Sequence, residues 1–363
     1  MIPEAAWNLV PEVFPTDTDP WVLLAIHQTA LSERQARAYA WAHTMLRSVR
    51  DSEPPRIVPG LQDYLSRRGN YRIADITAGF IPFGEIEDMT RSGTRQSIFQ
   101  QGFHLGSRLP DIGFWAMDEG RRWSFGVVIG VESTIDNRYP EDRSPPPDLS
   151  NFGRTIRGAG PTFLVVVERR EVAYDAPPNP VGSATSACYV RPRPGKHYYN
   201  GVLWTEGILT ARHVLVPTAT APGTQVTMAS TPPTQTTVAD IDAATTIDAV
   251  ILDSGVNSIP QNAMPLSLVS AVAPGLQVTV HGAQTQFTAD ILRVMDDPVY
   301  FGNMVAHRAF IDAYGSRGDS GALASGPNRE AVGIYIGKDG GPREGLLQLM
   351  RQVTKYFEVD LYL

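Results

Sequence analysis

Apolar positions follow a helical period near the start of this chain and a strand-like one over most of the rest. Between Pro20 and Val49, Trp21, Leu24, Ala25 and Gln28 open one helical face, and Ala36, Ala40, Met45 and Val49 continue a second. Thr18-Asp19-Pro20 supplies a cap followed by proline in the first turn, and Ser32 with Gln35 forms a capping box. The pattern predicts two helices joined near Leu31-Ser32. It ends at Asp51-Ser52-Glu53-Pro54-Pro55, because proline is barred from a helix interior. Residues 61–68 read as a short helix, and 73–81, 103–105, 114–117 and 123–131 as strands.

Residues 139–160 carry Pro140, Pro145-Pro146-Pro147, Asp148, Ser150, Asn151 and Gly153, the composition of a linker or long loop. The domain boundary is placed near Gly160, giving domains 1–160 and 161–363. Beyond it, short strands are expected at 163–167, 184–190, 201–204, 207–209, 225–228, 249–252, 277–281, 289–294, 309–312, 321–324 and 331–335. Such a series without long helices between its members predicts a β-barrel or sandwich. Leu346, Leu349, Met350, Val353 and Phe357 then share one face, which predicts a closing helix over 346–357. The fold class expected is an α+β N-terminal domain followed by an all-β domain with a C-terminal helix.

Composition agrees with this outline. A chain of 363 residues exceeds what one core usually serves, and 42% hydrophobic with 19% charged residues is globular. Net charge is -7, which argues against a broad nucleic-acid footprint. The single cysteine, Cys188, excludes an intrachain disulfide and reads as a small buried filler. The first residues lack the basic start and apolar core of a signal peptide, and no run reaches the ~18 apolar residues of a membrane span. A reducing cytoplasm is the expected setting. His27, His43, His104, His197, His281 and His307 lack ligand-like spacing, so no metal or other cofactor is expected. Trp7, Trp21, Trp41, Trp115 and Trp123 read as core or interface.

Three segments carry chemistry. Gly207-Ile208-Leu209-Thr210-Ala211-Arg212-His213 delivers a histidine at the tip of an apolar strand, and Asp248-Ala249-Val250-Ile251-Leu252 sets a carboxylate at the mouth of another. The third is Gly315-Ser316-Arg317-Gly318-Asp319-Ser320-Gly321. A serine hydroxyl attacks an acyl carbon only when a neighbouring base takes its proton. An imidazole does this best when a carboxylate fixes its tautomer, and the developing oxyanion needs preoriented N–H donors. Gly318 can allow the turn that aims its own N–H and that of Ser320 at one point.

Thr210-Ala211-Arg212-His213 and Gly318-Asp319-Ser320-Gly321 resemble the histidine and nucleophile motifs of chymotrypsin/trypsin-like serine peptidases. Asp248-Ala249-Val250-Ile251 resembles that family's aspartate motif with one residue missing between Asp and Ala, leaving Asp253 and Asp242 as fallbacks. The resemblance covers the last 200 residues or so. It implies a double β-barrel, a catalytic set of His213, Asp248 and Ser320, and an oxyanion hole at Gly318 and Ser320. It also implies a specificity pocket with a buried Tyr314 at its floor and Ile336, Gly337 and Lys338 in its wall, disfavouring basic side chains for want of a carboxylate. Asp319, paired in digestive relatives with a newly cut N-terminus, must here be satisfied by backbone donors or an arginine. The function expected is an intracellular serine endopeptidase acting on protein or peptide substrates. Residues 1–160 would control it or recruit a protein partner, by analogy in a stress or defence pathway. A catalytically silent scaffold is the alternative, followed by a non-peptidase acyl hydrolase or self-processing protease.

Overall fold

The computed structural model describes residues 1–51, 60–69, 71–83, 116–118, 121–133, 154–157, 162–170, 173–174, 185–194, 204–215, 221–228, 234–242, 247–254, 259–295, 299–300, 303–304, 308–316, 318–338 and 344–363. Helices α1 (Glu4–Trp7), α2 (Pro20–Gln28), α3 (Glu33–Asp51) and α4 (Leu61–Arg68) come first. Strands β1 (Tyr71–Phe83), β2 (Ala116–Asp118), β3 (Arg121–Ser133), β4 (Arg154–Arg157), β5 (Thr162–Arg170) and β6 (Ala173–Tyr174) follow. Next are β7 (Cys188–Pro192), β8 (Gly207–Thr210), β9 (Gln225–Met228), β10 (Thr234–Ile241), β11 (Val250–Asp253), β12 (Gln277–His281) and β13 (Gln286–Met295). The chain ends with β14 (Val299–Tyr300), β15 (Asn303–Met304), β16 (Arg308–Ile311), β17 (Leu323–Ser325), β18 (Ala331–Lys338), β19 (Gly345–Leu349), helix α5 (Met350–Phe357) and β20 (Val359–Tyr362).

The two N-terminal caps are those the sequence predicts. The Asp19 carboxylate accepts the Trp21 N–H at 2.8 Å, and Ser32 N–H donates to Gln35 Oε1 at 2.8 Å while Gln35 N–H returns to Ser32 Oγ. Trp7, Trp41 and Trp123 are buried, but Trp21 is exposed on α2 and is not a core residue. The expected strands at 103–105 and 201–203, residues 114–115 with Trp115, and His104, His197 and His307 lie outside the described residues.

Six strands in the order β12-β17-β18-β19-β16-β13 close on themselves through the β12–β13 pairing, forming an antiparallel barrel. A second antiparallel sheet runs β20-β7-β8-β11-β10-β9 and has its own small core of Val226, Val238, Ile241, Val250 and Leu252. This is the all-β architecture expected of the second half, with α5 near its end.

The stretch over 346–357 departs from the expected helix: its first residues form β19 and only the remainder is α5. All five residues of β19 are buried, so its run of leucines is that of a strand covered on both faces, which periodicity alone cannot tell from a helix. Strand β10 is unexpected, since Thr234, Gln235, Thr236 and Thr237 offer no apolar run. Part of the expected linker is also structured, as β4 pairs antiparallel with β5.

The main sheet crosses Gly160. β3 pairs in parallel with β5 on the other side, and β1 pairs with β13 through Thr77↔Met295, Ala78↔Val294 and Gly79↔Arg293. At Gly79 the strands approach so closely that a Cβ would collide with the Leu292 carbonyl. Beside it, buried Arg293 donates to both Glu344 oxygens (2.9 and 2.7 Å) and to the Phe80 carbonyl (3.3 Å), under a stacking contact with Phe310 at 4.3 Å. Residues of α3, β1 and β3 share one apolar cluster with those of the barrel, among them Leu46, Phe80, Val127, Val280, Phe310 and Ile334.

Candidate active site

Strand β8 is buried along its length and ends at Thr210, after which Arg212–Val214 form a short 3-10 turn holding His213. Strand β11 pairs antiparallel with β8, Val250 opposite Thr210. His213, three residues past the end of β8, and Asp248, two residues before the start of β11, therefore share one end of the sheet. His213 Nδ1 lies 2.7 Å from Asp248 Oδ2, and the His213 backbone N–H donates to Oδ1 at 2.9 Å. Both carboxylate oxygens thus hold one residue in place. Burial pushes the Asp248 carboxyl up, but the pull of His213, its two hydrogen bonds and the charge of Arg308 outweigh that and hold it below the usual range. Asp248 N–H donates to Gln348 Oε1 of β19 at 3.3 Å.

The two fallback carboxylates do not meet His213 in this way. Asp253 is at the far end of β11, opposite Gly207. Buried Asp242 accepts the Ile247 N–H at 2.9 Å and the Tyr356 hydroxyl at 3.0 Å, bracing the loop that carries Asp248. In return, the Tyr356 phenol is pushed up to about 12, by burial first and Asp242 next.

Ser320 sits in the turn leading into β17. Gly318 (φ +101°) and Gly321 (φ +95°) occupy the left-handed region that glycine tolerates. A Cβ on Gly321 would also strike the Thr185 carbonyl and the Thr210 hydroxyl. Thr185 joins the two halves of the site. Its N–H donates to the Ser320 carbonyl (3.0 Å), its hydroxyl to the Gly318 carbonyl (2.9 Å), and its own carbonyl accepts the Thr210 hydroxyl (2.8 Å). The Ser320 hydroxyl donates to the Ile336 carbonyl at 3.3 Å, and Ser320 is fully buried.

Within the turn, Gly315 N–H donates to the Tyr335 hydroxyl, Ser316 N–H to Asp319 Oδ2, and Asp319 N–H to the Ser316 carbonyl. The N–H groups of Gly318 and Ser320 make no such bond to another described residue. Asp319 is satisfied by backbone donors, as expected, and no arginine is needed: Gln284 and Thr285 N–H reach Oδ1 at 2.8 and 3.1 Å, and the Thr285 hydroxyl reaches Oδ2. Burial raises this carboxyl, but those hydrogen bonds hold it below its ordinary value.

The pocket residues fare unevenly. Ile336 is buried and Gly337 has φ +146°, but Tyr314 is 44% exposed where the sequence reading has it buried, and Lys338 Nζ lies 5.2 Å from its ring centroid. Tyr314 follows the end of β16 on an open loop, so no sheet covers it. Sequence reasoning missed Thr185 and Gln348. Thr185 carries no local signal, but Gln348 is a lone polar residue in an apolar run and is fully buried, which marks it for a hydrogen-bonding role. Cys188 is buried as expected, and burial pushes its thiol up to about 12.

Among the described residues no helix is long and apolar enough to cross a membrane, and no group of three or more His, Cys, Asp or Glu could hold a metal ion. No protein-family model matches the chain, and no curated protein matches it. It is similar to solved structures over about half its length. Thermobifida fusca protease A is 19% identical, with 52% of this chain and 97% of that one covered at a TM-score of 0.38. Nocardiopsis protease is 18% identical, with 49% and 92% covered at 0.36, and Cellulomonas bogoriensis chymotrypsin 14%, with 49% and 97% covered at 0.31.

Proposed function

We propose that this chain is a serine endopeptidase of the chymotrypsin-like kind, with Ser320 as nucleophile, His213 as general base and Asp248 as orienting acid. The observation that carries it is the His213–Asp248 pair at 2.7 Å, on a sheet end that Thr210 and Thr185 tie to the turn carrying Ser320. With Nδ1 engaged by the carboxylate, Nε2 is the basic nitrogen. The Ser320 hydroxyl turns about one bond from the Ile336 carbonyl towards it and gives up its proton on attacking a peptide carbonyl. The resulting oxyanion is received by the N–H groups of Gly318 and Ser320, and the imidazolium, stabilised by Asp248, protonates the departing amine. Water then repeats the sequence to release the acyl group.

Protein or peptide segments are the substrates on this reading, with Tyr314, Ile336 and Gly337 bounding the specificity pocket. Residues 1–160 restrain or target the enzyme through the sheet they share with it. A chain whose single cysteine cannot form an intrachain disulfide suits a reducing compartment. A fluorophosphonate probe tests the core of the proposal: covalent labelling of the wild type and none of Ser320→Ala is expected, and labelling of both would refute it. One observation favours the second reading, a silent scaffold, since the Ser320 hydroxyl is buried and bonded to a carbonyl. Folded wild type that never labels and never cleaves would select it.

A further inference from the structure

Helices α2 and α3 and the barrel enclose between them a cavity of about 480 Å³, within the roughly 300–1,000 Å³ of small-molecule sites. The helical side is Val22 and Ala25, three residues apart on α2, with Ala40 of α3. The barrel side is Val294 of β13, Val332 of β18 and Leu349 of β19, joined by Val269 from the segment before β12. These side chains are aliphatic on both sides. Trp21 also lines the cavity yet is 77% exposed, which places its ring at the mouth. None of the residues assigned to catalysis takes part.

The chain as a whole carries a charge of -7, but the lining of this cavity is cationic. Arg351 and Lys355 stand four residues apart on α5, on one face of the helix, and both are exposed. Arg351 Nη2 donates to the Ser270 carbonyl at 2.8 Å, and no carboxylate among the described residues pairs with it. The Lys355 ammonium makes neither an ion pair nor a hydrogen bond with any described residue. Arg47 of α3 lines the cavity too, but Asp17 neutralises it. The lining carboxylate, Asp19, already caps α2 by accepting the Trp21 N–H. With His43 neutral, Arg351 and Lys355 against Asp19 leave one positive charge in excess. We propose that this cavity binds a small monoanion with an aliphatic body, a medium-chain carboxylate. Its tail lies between α2 and the valines and leucine of the barrel side, and its carboxylate meets Arg351 and Lys355 at the rim, where the free guanidinium donors and the ammonium can share it. Because one side of the cavity belongs to the N-terminal helices and the other to the barrel, an occupant fastens the two together. The site stands whether or not Ser320 is a nucleophile.

The test is calorimetric titration of the full chain with three probes that share one tail: octanoate, 1-octanol and octyltrimethylammonium. Octanoate is expected to bind at a single site, 1-octanol about tenfold more weakly, and octyltrimethylammonium not at all, because only the first satisfies the two cations. Arg351→Glu with Lys355→Glu should weaken octanoate about tenfold or more and turn the preference towards octyltrimethylammonium. Ala25→Phe fills the aliphatic part and should abolish binding of all three. Octanoate should raise the melting temperature of the wild type and not that of Ala25→Phe. It should also change tryptophan emission in the wild type and leave that of Trp21→Phe unchanged. No octanoate binding, equal affinity for octanoate and 1-octanol, or unchanged octanoate affinity in either the charge-reversed or the Ala25→Phe variant would overturn the proposal. Should either variant fail to fold by circular dichroism, Lys355→Gln decides, since that side chain has no partner among the described residues to lose: a few-fold weakening of octanoate alone supports the site, and an unchanged affinity overturns it.

Discussion

The barrel that carries Ser320 and the sheet that carries His213 and Asp248 are held in different ways. The barrel closes on itself, is flanked by β1 and β3, and is clamped at that junction by the buried Arg293–Glu344 pair. The other sheet follows a single path from β20 to β9; Cys188, Val190, Leu209 and Ile251 join the barrel's apolar cluster, and Val226, Val238 and Val250 form a small separate one. Beside that shared apolar cluster run a few local ties: Thr185 against Ser320, Gln348 against Asp248, and the terminal run in which β19 belongs to the barrel, α5 crosses over and β20 pairs with β7. Ser320, the proposed nucleophile, therefore sits on the closed barrel, and His213, its proposed base, at the end of an open sheet. Alignment of the two is the property that mutation of the ties would disturb first.

That contrast can be broken most severely at the residues proposed to react. Ser320→Ala and His213→Ala are each expected to abolish peptide hydrolysis with the fold retained by circular dichroism, and the double variant to be little worse than either. Asp248→Asn should lower turnover by about 10⁴ by presenting the wrong imidazole tautomer. Asp253→Asn or Asp242→Asn proving the more damaging change would mean the pairing at the sheet end is misassigned. On stability, Arg293→Ala strands Glu344 in the core and should cost about 3–5 kcal/mol in urea unfolding. Arg193→Ala breaks the exposed Arg193–Asp360 pair of the other sheet and should leave the midpoint where it was.

Acid offers a finer comparison. Asp248 and Asp319 both have carboxyls held below their ordinary value by the fold. Such a group stabilises the native state above its unfolded pKa, near 3.9, and that contribution disappears as pH falls through the lower folded value. Asp319→Asn removes the charge that four donors converge on. Its stability deficit relative to wild type should be full at neutral pH and shrink in strong acid, as followed by urea midpoints. A deficit independent of pH would show that the loss is one of shape alone.

Much of this was legible in the chain, and the failures have physical reasons. The helix pair and its caps follow from side chains that act within a turn or two of themselves. The approach of Asp248 to His213 is readable because antiparallel strands bring the end of one beside the start of its partner. β10 is not, because a threonine-rich edge carries no apolar alternation, and β19 is disguised by burial on both faces. Tyr314 was misjudged because loop exposure depends on what the rest of the fold leaves uncovered. Thr185 shows the limit most clearly: its importance lies in two backbone carbonyls and a hydroxyl distant in sequence, and nothing in its neighbours announces them.

The ladder between β1 and β13 has a consequence for how the chain is made. β1 ends at Phe83 and its partner β13 begins at Gln286, so the ribosome must add the intervening residues before the pair can form. At roughly 5–20 residues per second this is a wait of about 10–40 s. Through that interval an apolar strand with an open side is held close to the exit tunnel. Newly made chains should therefore depend on holding chaperones more than full-length chains refolded by dilution.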